Sequence, residues 1–158
     1  MTLHSLWVLG ILAVAGSAGA VLRYLIDESI TVRQARRNPS RKHFFPWGIF
    51  TANSLACFLM AAALAVAAHN GVLLELNLLF EATPGAIDSG RMTSVLFLAF
   101  TIGLCGSLST MSTLMVSVVS LLRAGARALA VTYLGFSLLA GLGAGALGYY
   151  SVSLFLGH

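Results

Sequence analysis

Apolar residues run through this chain in long blocks. They do not alternate as in a strand, nor follow the one-sided stripe of a surface helix. A helix needs about 20 mainly apolar residues to cross the hydrocarbon of a bilayer. Four blocks satisfy this, over about 6–26, 47–68, 94–122 and 129–156. Polar residues gather between them. Trp7, Tyr24, Trp47, Tyr149 and Tyr150 fall near block ends, where rings with one polar edge favour the membrane interface. No basic stretch precedes Leu6, and later blocks are equally apolar, so the first reads as a retained helix and not a cleaved signal. The expected fold is an all-α integral membrane protein, one four-helix transmembrane domain over 1–158.

The third block interrupts its own pattern. Residues 103–115 read GLCGSLSTMSTLM, with Gly103 and Gly106 followed by hydroxyls at Ser107, Ser109, Thr110, Ser112 and Thr113. Non-helical backbone at membrane depth is tolerated only where protein covers it or it lines a cavity. A glycine break in the third helix is therefore expected, with freed carbonyls that need partners, a cation being one candidate. Beyond it, Ser109, Thr113, Ser117 and Ser120 recur at helical spacing as one hydroxyl stripe, opposite an edge of Met111, Leu114, Val118 and Leu121. A lone serine or threonine in a membrane helix commonly bonds back to its own backbone, whereas a stripe beside a break points to a permeation path. In the second block Asn53 must face protein or water, because an unpartnered amide in hydrocarbon costs several kcal/mol. It serves either a helix–helix hydrogen bond or a polar passage.

Composition sharpens this reading. Of 158 residues 58% are hydrophobic and 9% charged, with a mean hydropathy of +0.91, against about 25% charged in a soluble domain. The net charge of +4 is concentrated between blocks and says more about orientation than about nucleic-acid binding, which is not expected. Arg33, Arg36, Arg37, Arg41 and Lys42 lie in the first connection and Arg123 and Arg127 in the third, while the second carries Glu75, Glu81, Asp88 and the base Arg91. Basic connections stay cytoplasmic, so the termini are expected outside, the basic loops in the cytoplasm, and the chain in the cell's inner (plasma) membrane.

Intramembrane acids mark proton and cation coupling, and none lies within the four blocks. That disfavours a small multidrug exporter, which is also four-helical but needs a membrane-embedded glutamate, and favours an anion or a neutral solute. Arg23 is the one charge within a block. It either snorkels to the interface or faces a water-filled vestibule. Cys57 and Cys105 form no paired motif, and His4, His43, His69 and His158 lie at ends and in connections. A disulfide frame, a zinc site and an enzyme are not expected.

Three segments, in order, carry a family resemblance. GSAGAVLRY (16–24) is similar to the Fluc/CrcB fluoride-channel pattern G-x-x-G-A-x-x-R-[YW]. WGIFTANSLACFLMA (47–61) is similar to G-T-[LF]-x-x-N-x-x-G-x-F, and GLCGSLSTMSTLM to G-F-C-G-G-[LF]-T-T-F-S-T-F. The chain resembles this family across all four blocks. The resemblance implies an antiparallel dimer of four-helix subunits through which cytoplasmic fluoride leaves passively, reducing fluoride toxicity. It also implies a structural sodium ion at the dimer centre, held by the backbone carbonyls of Gly106 and Ser109. Asn53, Ser112, Thr113 and Tyr133 match polar pore positions, and Arg23 the family arginine. Small, strongly hydrated fluoride needs donors in place of water, and hydroxyls and amides supply them.

Two departures stand out. Met111 and Leu114 occupy the positions of two pore phenylalanines, whose electropositive ring edges neither residue reproduces. Ser117 replaces an acid, and Ser107 a glycine. The charge asymmetry also fixes one orientation, whereas identical antiparallel subunits must insert both ways. The expectation is a homologous, non-identical partner of opposite orientation in the lipid bilayer. The alternative is a non-conducting scaffold or regulatory subunit.

Overall fold

A computed structural model of the chain describes residues 3–37, 45–71 and 89–157. Arg41, Lys42 and the second-connection residues Glu75, Glu81 and Asp88 lie outside the described residues, as do the apolar runs at 72–74 and 78–80. Five helices are described: α1 Leu3–Arg37, α2 Trp47–His69, α3 Ser89–Leu108, α4 Met111–Arg123 and α5 Arg127–Leu156. They form four spans long and apolar enough to cross a membrane, because α3 and α4 together make the third. The protein is a multipass all-α membrane protein.

The first helix is longer than the apolar block at about 6–26. Helix α1 continues past residue 26 to Arg37 and carries Arg33, Arg36 and Arg37 outward on the helix itself. Loss of hydropathy at Asp27 marks where the apolar block ends, but polar helix formers such as Arg, Glu and Gln continue the helix without it. Gln34 ties this extension to the start of α2, its Nε2 donating to Phe45 O at 3.1 Å.

Helix α2 is the hub and packs on each of the other four. Small residues make this possible: Ala52 and Ala56, both buried, meet Leu108, and Gly48 lies against the backbone of Asp27. Helices α1 and α3 run parallel and close. A β-carbon at Gly103 would lie 2.8 Å from Leu12 O and 3.1 Å from Ala15 Cβ, and one at Gly19 would overlap the Leu104 carbonyl and the Ser107 hydroxyl. Helices α2 and α5 also run parallel, with Gly141 and Gly145 on Cys57 and Gly148 against the Phe58 backbone. The small-residue faces of α1 and α5 thus serve packing within the chain, where missing β-carbons let helix axes approach.

Helix α4 returns to α5 through a tight turn. Gly125, at φ +79°, donates to Leu122 O, while Ala126 N donates to Leu121 O at 2.9 Å. This Schellman pattern satisfies the last carbonyls of α4 and needs a left-handed residue. Phe45, just before α2, and Ala126 and Leu129, at the start of α5, all pack against the core of Leu114, Leu121, Ala130 and Tyr133, so the first and third connections share one end of the bundle.

Candidate functional site

The third span is interrupted, but not at its glycines. Gly103 and Gly106 remain helical, and no glycine between 89 and 123 has a positive φ. The chain leaves the helix at Ser109 and Thr110, the latter extended at φ −137° and ψ 121°. The glycine at 103 serves the close α1 contact instead.

What holds the break open is polar. Asn53 of α2 accepts the Thr110 N–H on its Oδ1 at 3.0 Å. A continuous helix would have aimed that N–H at the carbonyl of Gly106, so the Asn53 bond frees this carbonyl. Arg23 of α1 completes the arrangement. Its Nη1 donates to Thr110 Oγ1 at 2.8 Å and to Thr113 Oγ1 at 2.9 Å, and the two hydroxyls are themselves 2.6 Å apart. Arg23 therefore turns inward across the bundle instead of reaching for the interface. Asn53 likewise makes a helix–helix bond, and that bond lies within the break.

The expected hydroxyl stripe does not act as one row. Thr113 is engaged by Arg23, Ser117 Oγ donates back to Thr113 O at 3.0 Å, and Ser112 and Ser120 are exposed. Polar atoms gather instead where α4 meets α5. Tyr133 is 0% exposed and packs with Leu114, Leu121 and Ala130, its ring edge-on to Phe45 at 5.0 Å. Ser117 and Ser137 flank its hydroxyl. Yet Tyr133 Oη, Ser137 Oγ and, on α2, Ser54 Oγ find no hydrogen-bond partner among the described residues. The family resemblance singled out Tyr133 and the hydroxyl-rich segment included Thr110, but Ser54 and Ser137 were missed. The four-residue spacing of Tyr133 and Ser137, which puts both on one face of the helix, was the available signal for the last.

The two residues at the phenylalanine positions part company. Leu114 is 4% exposed and belongs to the subunit core around Tyr133, whereas Met111 is 59% exposed on the outer surface. Residues three apart lie only about 60° apart around a helix, so the difference comes from position along α4: Met111 is its first residue, beyond the packing that captures Leu114.

Gly106 and Ser109 open onto a groove of about 560 Å³ between α2, α3 and α5, lined also by Cys57, Met60, Gly141 and Gly145. A β-carbon at Gly106 would meet nothing within 4 Å, so the groove is open beside this residue. The described residues contain no cluster of His, Cys, Asp or Glu able to hold a metal. Backbone carbonyls are the oxygen donors on offer here, a chemistry suited to a hard cation such as sodium.

Comparison with known proteins places these features in context. Residues 10–149 match the family described as CrcB-like protein, Camphor Resistance (CrcB). The chain is 37% identical over 139 residues to the fluoride-specific ion channel FluC 1 of Frankia casuarinae, covering 87% of this chain and 91% of the relative. It is 33% identical over 144 residues to FluC 1 of Thermobifida fusca, covering 91% and 94%. It is 32% identical over 127 residues to FluC of Phocaeicola vulgatus, covering 80% and 83%.

Proposed function

The chain belongs to the CrcB family, and on that footing we propose that it is a subunit of a fluoride channel through which cytoplasmic fluoride leaves the cell passively. It is not an enzyme. The observation that carries the reading is the set of buried hydroxyls without partners, Tyr133 Oη, Ser137 Oγ and Ser54 Oγ, close to a break held by Asn53 and Arg23. A buried hydroxyl normally finds a partner. Donors left free inside a membrane protein suit an ion that must shed water and recover hydrogen bonds from the wall. Asn53, Ser112, Thr113, Tyr133 and Arg23 are the pore residues of this reading, with Met111 and Leu114 at the phenylalanine positions.

A second subunit of opposite orientation completes the channel. Irregular backbone at membrane depth cannot face lipid, and the groove at Gly106 and Ser109 opens sideways from the bundle. Covering it with the matching groove of a homologous chain would bring the Gly106 and Ser109 carbonyls of both subunits together around one sodium ion. The asymmetry of the basic connections favours a non-identical partner in the plasma membrane, with this chain's termini outside. The test is fluoride efflux from liposomes, read by an electrode, for the chain alone and with a homologous subunit. The expected result is efflux with both and little with the chain alone. Robust efflux from the chain alone removes the heterodimer.

The burial of Leu114 in the subunit's own core favours a second reading, in which this chain supports a pore built mainly by its partner. Tyr133→Phe with Ser137→Ala, made in this chain only, separates the two. An undiminished rate from the mixed complex makes the chain a scaffold.

A further inference from the structure

Arg23 has an unusual set of partners for a cation inside a membrane. The acid one turn further along α1, Asp27, accepts instead from Thr31 Oγ1 at 3.3 Å. Arg23 Nη1 spends both of its hydrogens on uncharged oxygens, Thr110 Oγ1 and Thr113 Oγ1. A guanidinium only donates, while a hydroxyl has one proton and two lone pairs. The count within this triangle is therefore fixed. Each threonine oxygen accepts once from Arg23, and across the 2.6 Å contact one threonine donates to the other. The oxygen that receives this second bond has both lone pairs filled, and its own proton has no acceptor inside the triangle. The result is the same whichever threonine donates: one O–H of the pair must point away.

We propose that Arg23 is a positioning residue, whose bonds to Thr110 and Thr113 force one threonine hydroxyl proton outward as a fixed donor to the permeating anion. This rests on the fluoride-channel reading. The guanidinium acts through the threonines and not by contact with the ion. It polarises the hydroxyls as donors and removes their choice of acting as acceptors, which would repel an anion. A preset donor costs no reorganisation as the ion arrives, the same advantage that fixed donors give at an oxyanion hole. Lysine keeps the charge but lacks the rigid planar fork that presents both hydrogens in one geometry, so charge and orientation can be separated.

The experiment uses the assembled channel, with its second subunit where one co-purifies, in vesicles of phosphatidylethanolamine and phosphatidylglycerol. Arg23→Lys and Thr113→Val are each expected to slow fluoride efflux about tenfold, the loss of an ordinary charge-assisted bond. The double variant is expected to be no slower than the slower single one, because both substitutions disable one unit. A wild-type rate in Arg23→Lys assigns the arginine to charge attraction alone and overturns the proposal, as does a double variant whose loss is the product of the two. A second readout needs no transport: melting of the complex in detergent in sodium fluoride against sodium chloride at equal concentration. Fluoride is expected to raise the wild-type midpoint above that in chloride, and Arg23→Lys to abolish the difference. An equal fluoride effect in both also overturns the proposal. Vesicles holding the wild-type chain together with its second subunit that retain their fluoride refute the channel reading instead, and the melting comparison then decides the positioning role by itself.

Discussion

Residues of similar chemistry three positions apart have opposite fates here. Leu114 fills a core formed with Tyr133, Leu121 and Ala130, and Met111 is exposed. Restoring a phenylalanine at the two positions therefore has unequal consequences. At 114 the larger ring must displace neighbours in a filled core, a cost of about 1–3 kcal/mol, whereas at 111 it enters open space. Leu114→Phe is expected to lower the melting midpoint in detergent and Met111→Phe to leave it nearly unchanged. Equal behaviour of the two variants would contradict the placement of α4. Asn53 shows the same dependence on place. Its amide was legible as a residue in need of a partner, but that its partner is the backbone N–H of Thr110 depends on how α2 crosses the third span.

At the scale of elements, glycines decide which helices touch. Gly19 and Gly103 face the α1–α3 contact and Gly148 the α2–α5 contact, while Gly10 and Gly143 have nothing within 4 Å of where a β-carbon would stand. Gly19→Ala is expected to push α1 off α3, with a loss of about 2 kcal/mol or more in stability, and to yield protein that runs as a mixture on size exclusion. Gly143→Ala is expected to be neutral or slightly stabilising, since alanine is the better helix former. If Gly19→Ala proves as stable as Gly143→Ala, the parallel α1–α3 contact is not as close as described. The interruption of the third span belongs to this scale too. The glycines drew attention to the segment, yet the turn falls at Ser109–Thr110. There Asn53 accepts the backbone N–H that the helix gives up, and Arg23 holds the Thr110 and Thr113 hydroxyls.

At the scale of the whole molecule, charge and apolar surface are segregated. Arg33, Arg36 and Arg37 extend on α1 at the end of the bundle that also carries Arg123 and Arg127, because Gln34 bonds to Phe45 O and Phe45 shares one core with Ala126 and Leu129. Basic residues near span ends set orientation. Replacing Arg33, Arg36 and Arg37 together by glutamine is expected to turn a single orientation into a mixture, read by the accessibility of a cysteine placed at either terminus. A wild-type chain already found both ways round would remove the argument for a non-identical partner. Large apolar side chains such as Val131, Leu139, Leu142 and Phe155 stand on the outer faces, as expected where lipid replaces water.

The sequence by itself determined what depends on run length, composition and local spacing. These were four spans, their approximate centres, an interruption in the third, and a one-sided distribution of basic residues, all following from what the bilayer will solvate. It also marked Asn53 and Arg23 as polar groups with something to explain, whereas Tyr133 entered only through the family resemblance. Only the tertiary structure decided the answers, because each depends on which helix lies opposite. It moved the break from glycine to Ser109–Thr110, turned Arg23 onto two threonines, sent Leu114 inward and Met111 outward, and left the hydroxyls of Tyr133 and Ser137 buried without a partner among the described residues. Periodicity assigns a residue to a face of its own helix. The crossing of α2 against its neighbours, set by alanines and glycines with no polar chemistry of their own, determines what that face meets.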